Sequence, residues 1–237
     1  MSAQDFSGRC VVLTGAAGNL GRAVADVFAS RGASLVLVDR DERALRAAFG
    51  ADTPQRVCLA ADLLDAAQAR AALDAAVTRF ERVHVLCNLA GGFRMGEAVH
   101  ETSPATWEFL WGLNVRTLLH MAQAVVPHMA AQGGGRIVNV GAFSALRGGA
   151  AMGAYGAAKS AVIRLTEAMS AELKEQGINV NCVLPTIIDT PENRAAMPNA
   201  DPARWVAPAD LARAIAFLAS DDARAVHGAA LPVTGLS

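Results

Sequence analysis

The sequence has no excess of charge and no basic cluster. Its 237 residues include 21 Lys and Arg against 22 Asp and Glu, which gives a net charge of -1, and only 5% of the residues are aromatic. Binding to nucleic acid or to an anionic membrane surface calls for clustered lysine and arginine. We therefore expect neither a nucleic acid nor a membrane as a partner.

The sequence also lacks an apolar run that could serve as a membrane span or a signal. The charge-free stretch over 117–135 contains histidines, glutamines, a proline and three closing glycines, which do not suit a membrane-spanning helix. Residues 1–9 include Asp5 and Arg9 and have no apolar centre, unlike a secretory signal. We expect a cytoplasmic protein.

Paired cysteines and metal-ligand spacings are missing too. The five histidines show no ligand spacing, and each of the four cysteines lies singly in a separate apolar run: Cys10, Cys58, Cys87 and Cys182. Since isolated cysteines in apolar runs are usually buried thiols, we expect neither a metal site nor a redox pair.

Short apolar runs do alternate with alanine-rich helical stretches, in a chain that is 53% hydrophobic. This alternation predicts one α/β domain over 1–237, in which a parallel, doubly wound sheet is covered by helices on both faces, because the runs show no period-two polarity. Strands are predicted at 10–13, 35–38, 57–60, 83–87, 136–140 and 178–184. Helices are predicted at 19–30, 41–49, 65–80, 104–131, 154–176 and 208–219. Residues 187–207, rich in proline, asparagine and charge, are predicted to form a surface loop.

A glycine-rich turn follows the first predicted strand and opens the first helix. Its sequence over 14–21 is TGAAGNLG. Glycines at such a turn allow the backbone to approach a pyrophosphate, and the free N–H groups of the helix N-terminus favour the anion. The turn therefore predicts a dinucleotide site that includes Gly15, Gly18 and Gly21.

Acidic and amide residues follow the next strands. Asp39 ends the second strand, where a carboxylate can accept hydrogen bonds from the adenosine ribose and repel a 2′-phosphate; Arg40 beside it could instead pair with that phosphate. The alternative role for Asp39 is to cap the helix that follows. We expect NAD, with NADH preferred and NADPH not excluded. Asp62 and Asn88 also lie where strands end, at the edge where open α/β sheets bind ligands.

Tyr155 is the only tyrosine, and Lys159 lies four residues beyond it on one face of a predicted helix. An ammonium close to a phenol favours the phenolate and lowers the pKa of the phenol. Such a pair can pass a proton to or from a substrate.

The turn at 14–21, Asp62, the Asn88–Gly91 segment, Asn114, Tyr155 and Lys159 together resemble the short-chain dehydrogenase/reductase family, over nearly the whole chain. The resemblance implies a seven-stranded Rossmann sheet, hydride transfer at a nicotinamide, Tyr155 as proton donor or acceptor, Lys159 on the nicotinamide ribose and Asn114 holding a water in the proton relay. It also implies that the loop over 187–207 covers the substrate. The cofactor contacts that we expect are Gly15, Gly18, Asn19, Leu20, Gly21, Asp39, Arg40, Asp62, Leu63, Asn88, Ala90, Gly91, Tyr155, Lys159, Pro185, Ile188 and Thr190.

Three positions depart from the family pattern. Asn19 and Leu89 replace a usual glycine and asparagine, and Ala142 stands where the family has a catalytic serine. Ser144 could take over that role or could lie too far along the chain. At 142, at 152–156, at 90–93 and over 184–205 the chain resembles one branch of the family, the dihydropteridine reductases.

That second resemblance implies a quinonoid dihydropterin-like acceptor, although Asn114 is typical of the ordinary dehydrogenases. Two alternatives stay open: a carbonyl or alcohol oxidoreductase of unknown substrate, and a catalytically weak NAD(H)-binding sensor. The long predicted helices at 104–131 and 154–176 carry more apolar and small residues than one buried face needs, so a homodimer or homotetramer is expected.

Overall fold

Seven parallel strands form one sheet in the computed structural model, which describes residues 5–237. The strand order is β3-β2-β1-β4-β5-β6-β7, and every neighbouring pair is parallel. The strands are β1 Cys10–Thr14, β2 Ser34–Asp39, β3 Arg56–Ala60, β4 Val85–Asn88, β5 Gly135–Val140, β6 Ile178–Pro185 and β7 Ala230–Val233. The predicted doubly wound Rossmann architecture is confirmed.

Eight α-helices cover the two faces of this sheet. Helices α1, α2 and α8 contribute to one apolar cluster, and α3, α5 and the end of α6 contribute to the other. Val11 and Val12, neighbours on β1, belong to opposite clusters because successive side chains of a strand point to opposite faces. The helices are α1 Asn19–Ser30, α2 Glu42–Phe49, α3 Ala66–Phe80, α4 Pro104–Trp111, α5 Thr117–Ala131, α6 Gly153–Leu173, α7 Pro191–Ala196 and α8 Pro208–Ala219.

The chain reverses its direction of winding between β1 and β4. From β1 it proceeds outward to β2 and β3, and it then returns to place β4 on the other side of β1. In open α/β sheets the ligand binds at the carboxyl ends of the strands beside such a switch point. The turn after β1 and the segment after β4 therefore meet at the ligand-binding edge.

The prediction of a single helix over 104–131 is wrong in one respect. A π-helical segment, Gly112–Arg116, separates α4 from α5. The side-chain amide of Asn114, in the middle of this segment, donates to the carbonyl of Leu110 at 2.9 Å. Apolar periodicity does not distinguish a π-turn from an α-turn, whereas π-segments are often found at functional sites.

The predicted loop over 187–207 contains the short helix α7, and Ile188 forms a parallel bridge with Val206. Trp205 near its end is buried, which agrees with a packing role. Trp107 and Trp111 stack on each other at 5.9 Å. No helix within residues 5–237 is both long and apolar enough to cross a bilayer.

Candidate active site

The turn between β1 and α1 can only be built from glycine at two positions. Gly15 has φ +62°, and a Cβ there would lie 2.9 Å from the Cα of Ala90. A Cβ on Gly21 would lie 2.3 Å from the carbonyl oxygen of Gly15. Contacts this short with backbone atoms leave no room for a side chain, so the glycines bring the turn, α1 and the segment after β4 into close contact.

A cleft of about 440 Å³ opens at this edge of the sheet. Its walls come from the glycine turn, from the ends of β2 and β3, from the segment after β4 and from the loop after β6. The predicted cofactor residues in its walls are Gly15, Gly18, Asn19, Leu20, Gly21, Asp39, Arg40, Asp62, Leu63, Ala90, Gly91 and Thr190. The cleft thus has the glycine-lined approach and the free N-terminus of α1 that a dinucleotide requires.

The carboxylate of Asp39 faces the glycine turn. Its Oδ2 accepts a hydrogen bond from the backbone N–H of Ala17 at 3.0 Å. The alternative that Asp39 caps the following helix is wrong, because Asp41 is the N-cap of α2 and accepts from the N–H of Ala44 at 3.1 Å. Asp39 is therefore available to a ligand in the cleft.

Asn88 is not among the residues that line the cleft, and its predicted role as a cofactor contact stays a prediction. Its amide donates to Oδ1 of Asn139 at 2.9 Å, and Asn139 donates in turn to Oγ1 of Thr166 at 2.9 Å. Since all three residues are buried, this chain ties β4 and β5 to α6. Asn88 thereby positions the helix that carries Tyr155 and Lys159.

Four more predicted cofactor contacts are not among the residues that line the cleft, and their contacts with the cofactor stay a prediction: Pro185, Ile188, Tyr155 and Lys159. Pro185 ends β6 and is paired with Val233 in the ladder to β7. The Ile188 side chain packs against the apolar cluster on the α1 and α8 face. Thr190, which does line the cleft, also accepts a hydrogen bond from the N–H of Asn193 and so caps α7.

Tyr155 and Lys159 lie one turn apart near the start of α6, as predicted. Nζ of Lys159 is buried and donates to the carbonyl oxygen of Val140, at the end of β5, at 2.8 Å. The ring of Tyr155 meets the ring of Phe93 edge-on, with the centroids 4.9 Å apart. Both side chains are thus held at the carboxyl edge of the sheet.

The pKa values of this pair differ from the prediction. Burial raises the pKa of Tyr155 to about 12, the opposite direction from the lowering that we expected from Lys159. Burial also lowers the pKa of Lys159 to about 8. Since the Lys159 ammonium donates its hydrogen bond to a backbone carbonyl, the desolvation of the Tyr155 phenol outweighs the effect of the ammonium on the pKa of that phenol.

Asn114 is 2% exposed and holds the segment after β4. Its Oδ1 accepts from the N–H of Gly92 at 3.2 Å, and its Nδ2 donates to the carbonyl of Gly92 at 3.0 Å. A Cβ on Gly91 would lie 2.9 Å from Oδ1 of Asn114 and 3.3 Å from Nζ of Lys159. Gly91 therefore lies between two of the predicted catalytic groups, and the Asn114 water relay stays a prediction.

The missing serine is not replaced by its neighbour. Ala142 follows β5 in extended conformation and is 4% exposed. The chain then turns into a 3₁₀ helix, Phe143–Leu146, so Ser144 is no longer on an extended strand and is solvent-exposed. Of the two alternatives for Ser144, the structure favours the one in which it lies too far along the chain to take over the role.

A second pocket, of about 130 Å³, lies beside Tyr155 and was missed by the sequence reasoning. It is formed where the segment after β4 meets the start of α6, and the two are joined by a hydrogen bond from the N–H of Gly96 to the carbonyl of Ala151 at 2.9 Å. The only indication of this pocket in the sequence was that the segment lining it directly follows Gly91 and Gly92, after the end of β4. The polar residues in its wall are Arg94, Glu97, Thr102, Thr106 and Tyr155.

The loop after β6 is fastened to the glycine turn. Nδ2 of Asn19 donates to Oε2 of Glu192, at the start of α7, at 2.8 Å, and Arg22 donates to Oδ1 of Asn19 at 2.7 Å. Asn19 is the residue that replaces a glycine of the family pattern. In this chain it links the predicted phosphate site to the predicted substrate loop.

No group of three His, Cys, Asp or Glu side chains within residues 5–237 is arranged to hold a metal ion. The four cysteines are buried and unpaired. A glycine-lined dinucleotide cleft next to a partly buried tyrosine and a buried lysine defines the class of nicotinamide-dependent oxidoreductases.

Comparison with known proteins identifies the family. A family model described as short chain dehydrogenase matches residues 9–201. D-threitol dehydrogenase of Mycolicibacterium smegmatis is 34% identical over 245 residues, which cover 98% of this chain and 94% of the relative. The chain belongs to the short-chain dehydrogenase/reductase family, as predicted, and is an oxidoreductase of small organic substrates.

Solved structures agree on the fold and on the cofactor type. The structure of 3-ketoacyl-(acyl-carrier-protein) reductase from Brucella melitensis complexed with NADH matches with a TM-score of 0.87 at 31% identity, over 97% of this chain and 98% of that one. NAD+-bound xylitol dehydrogenase matches with a TM-score of 0.89 at 26% identity, over 97% and 99% of the two chains. These neighbours support a nicotinamide cofactor.

Proposed function

We propose that the protein transfers a hydride between NAD(H) and a small secondary alcohol or the corresponding ketone. The observation that carries this proposal is that the Lys159 ammonium and the Asn114 amide meet at Gly91, which lines the dinucleotide cleft, with Tyr155 one helical turn before Lys159. A protein that only binds the cofactor has no need of a phenol with a raised pKa one helical turn from a buried ammonium. The names of the threitol and xylitol dehydrogenases give the same substrate class for those relatives.

NADH is proposed as the preferred form of the cofactor. The Asp39 carboxylate lies at the end of β2 and in the cleft wall, where it would accept from the ribose hydroxyls and repel a 2′-phosphate. Arg40, also in the wall, carries the opposite charge and could pair with a 2′-phosphate. Asp39, however, is hydrogen-bonded to the glycine turn through the N–H of Ala17, and this position favours NAD(H).

The bound nicotinamide cofactor supplies or accepts the hydride. Tyr155 holds its proton at neutral pH because burial raises its pKa to about 12, so it is ready to donate to a substrate oxygen in the direction of reduction. Reduction leaves a Tyr155 phenolate, which in the direction of oxidation accepts the proton of the alcohol; the Lys159 ammonium one helical turn away stabilises this charge. Asn114 fixes the backbone of Gly92. It thereby fixes the shape of the space around Tyr155, Lys159 and Gly92, which we call the reaction chamber.

A quinonoid dihydropterin is the second candidate substrate, and Ala142 is the observation that favours it. A methyl group at this position donates no hydrogen bond to a substrate carbonyl, which an ordinary ketone reduction would use. A conjugated quinonoid ring is already activated toward hydride addition and needs less polarisation of this kind.

We also propose that the protein is a homodimer or homotetramer. Trp107 on α4 and Leu119 on α5, 43% and 41% exposed, lie in the stretch 104–131 for which the sequence predicts a subunit contact. Light scattering coupled to size-exclusion chromatography measures the state directly, and a monomer at micromolar concentration would contradict the proposal.

The test of function is NADH oxidation in the presence of a panel of small ketones and of freshly generated quinonoid dihydropterin, with NADPH in parallel. Tyr155→Phe keeps the ring against Phe93 and removes only the hydroxyl. We expect turnover of one substrate class to fall by at least about 100-fold in this variant, a loss typical of a removed acid or base, while NADH binding is unchanged. Tyr155-independent turnover would contradict the mechanism, and binding of NADH without turnover of either class would favour the sensor.

A further inference from the structure

Arg94 presents a guanidinium group to the small pocket beside Tyr155. The residue lies in the segment between β4 and α4 and lines this pocket together with the start of α6. The Cζ of Arg94 lies 3.9 Å from the centroid of the Phe109 ring. Stacking on an aromatic face fixes the plane of the guanidinium and leaves its edge free.

The donors of this guanidinium are not used by the protein. Within residues 5–237, Arg94 makes no side-chain hydrogen bond and no ion pair. The carboxylate in the same pocket, Glu97, is already taken: it accepts from the N–H of Ser103 at 2.9 Å and from the hydroxyl of Thr106 at 2.9 Å. These hydrogen bonds, led by the one from Ser103, lower the pKa of Glu97 and keep it ionised; the charge of Arg94 acts in the same direction and is the smallest of the causes.

The other polar groups of the pocket are also engaged. The hydroxyl of Thr102 donates to the carbonyl of Ala98 at 3.0 Å, and that of Thr106 donates to Glu97. Apart from Tyr155, which handles the proton in the proposed reaction, the side-chain donors left for a ligand in this pocket are those of Arg94.

A planar fork of N–H donors matches a carboxylate, which it can bind through two parallel hydrogen bonds. A phosphate dianion fits less well, because the ionised Glu97 in the same wall repels a second negative charge and no further cation lines the pocket. Arg94 is exposed in the cofactor-free protein, so its N–H groups are solvated until a ligand with acceptor oxygens takes the place of the water.

We propose that Arg94 is the specificity residue for the acid group of the substrate, and that the substrate is a hydroxy or oxo acid. Its carboxylate binds Arg94 while its reacting carbon lies at Tyr155. This inference rests on the proposed hydride transfer and narrows it to one substrate class, distinct from both neutral polyols and pterins.

The test uses probes that do not react, so that its result is independent of turnover. Cyclohexanecarboxylate and cyclohexanecarboxamide have the same shape and differ in charge. Calorimetry with the NADH-loaded protein, and with the protein alone, gives the two dissociation constants. We expect the carboxylate to bind at least about tenfold more tightly than the amide, since charge-assisted hydrogen bonds are about twice as strong as neutral ones.

Variants identify the residue responsible. Arg94→Gln should remove the preference for the carboxylate, and Arg94→Lys should retain part of it, because lysine keeps the charge and loses the fork. Arg164→Gln is the matched control: it removes the same charge from the exposed face of α6, where Arg164 pairs with Glu167, and should leave the preference unchanged.

Equal binding of acid and amide, no binding of the acid, or a preference that survives Arg94→Gln would each overturn the inference. Failure of the proposed hydride transfer is recognised separately, because it appears as an absence of NADH oxidation with every ketone in the panel. A stable fold of Arg94→Gln is verified by its unchanged melting temperature.

Discussion

Nζ of Lys159 on α6 donates a hydrogen bond to the carbonyl oxygen of Val140 at the end of β5, at 2.8 Å. The ammonium that makes this contact is buried, and burial lowers its pKa to about 8. An unfolded lysine has a pKa of about 10.4, so the unfolded chain binds more protons than the folded one between these two values. The contribution of Lys159 to the free energy of unfolding is therefore smallest below about pH 8, and it rises from there to about pH 10.4.

Lys159→Met removes this titration. In the cofactor-free protein we expect the free energy of unfolding of the wild type, relative to the variant, to rise by up to about 3 kcal/mol from pH 7 to pH 10. Urea unfolding at a series of pH values gives both curves, and their difference cancels the titration of the cysteines. A difference that does not change with pH would show that the ammonium is not destabilised in the fold.

Replacement of Asp39 tests the cofactor preference. Asp39→Ser removes the carboxylate and leaves Arg40 to pair with a 2′-phosphate, so the ratio of kcat/KM for NADH to that for NADPH should fall by at least about tenfold. Asp41→Ser is the matched control, since a serine still caps α2 and the ratio should stay unchanged. An unchanged ratio in Asp39→Ser would assign the preference to other residues.

Restoring the hydroxyl at position 142 distinguishes the two substrate candidates. Ala142→Ser should raise kcat for a ketone by about tenfold or more, because the hydroxyl can donate to the oxygen on which charge develops. For a quinonoid dihydropterin we expect less than a twofold change. Ser144→Ala, at an exposed position on the 3₁₀ turn, serves as the control and should change neither rate.

The charge of Glu192 should oppose cofactor binding. Its carboxylate is held next to the glycine turn by Asn19, and its pKa is lowered by hydrogen bonds. Glu192→Gln retains an oxygen that can accept from Asn19 and removes the negative charge, so NADH should bind about fivefold more tightly at low salt and less so at high salt. Fluorescence titration of NADH checks this, with Glu167→Gln on α6 as control. Weaker binding by Glu192→Gln would instead indicate that the charge holds the loop closed.

Much of the fold could be read from the sequence. Helix α1 begins and ends at the predicted residues, and six of the seven strands overlap the predicted runs, because buried parallel strands are continuous apolar segments. Strand β7 has no such run: it has four residues, one of which is Pro232, and it is only partly buried. Its place at the edge of the sheet explains both features.

The site was predicted where backbone geometry or short spacing dictates it. The glycines of the turn and the pair Tyr155 and Lys159 lie where the motifs placed them. The direction of the Tyr155 pKa, the neighbours of Asn88 and the pocket at Arg94 could not be read from the chain. Each depends on contacts between residues far apart in sequence, such as Arg94 with Phe109 or Asn88 with Asn139.

The π-segment at 112–116 makes the number of residues in this region as important as their identity. A π-turn closes its hydrogen bonds over five residues and an α-turn over four, so the segment accommodates extra chain between α4 and α5. Deleting one residue here would restore a continuous α-helix and rotate Asn114 away from Gly92 by about 100°. A protein shortened in this way would keep every side chain of the reaction chamber, but these side chains would no longer be arranged for the reaction. Among related sequences, we therefore expect a one-residue gap at this place to indicate lost activity more clearly than a substitution does.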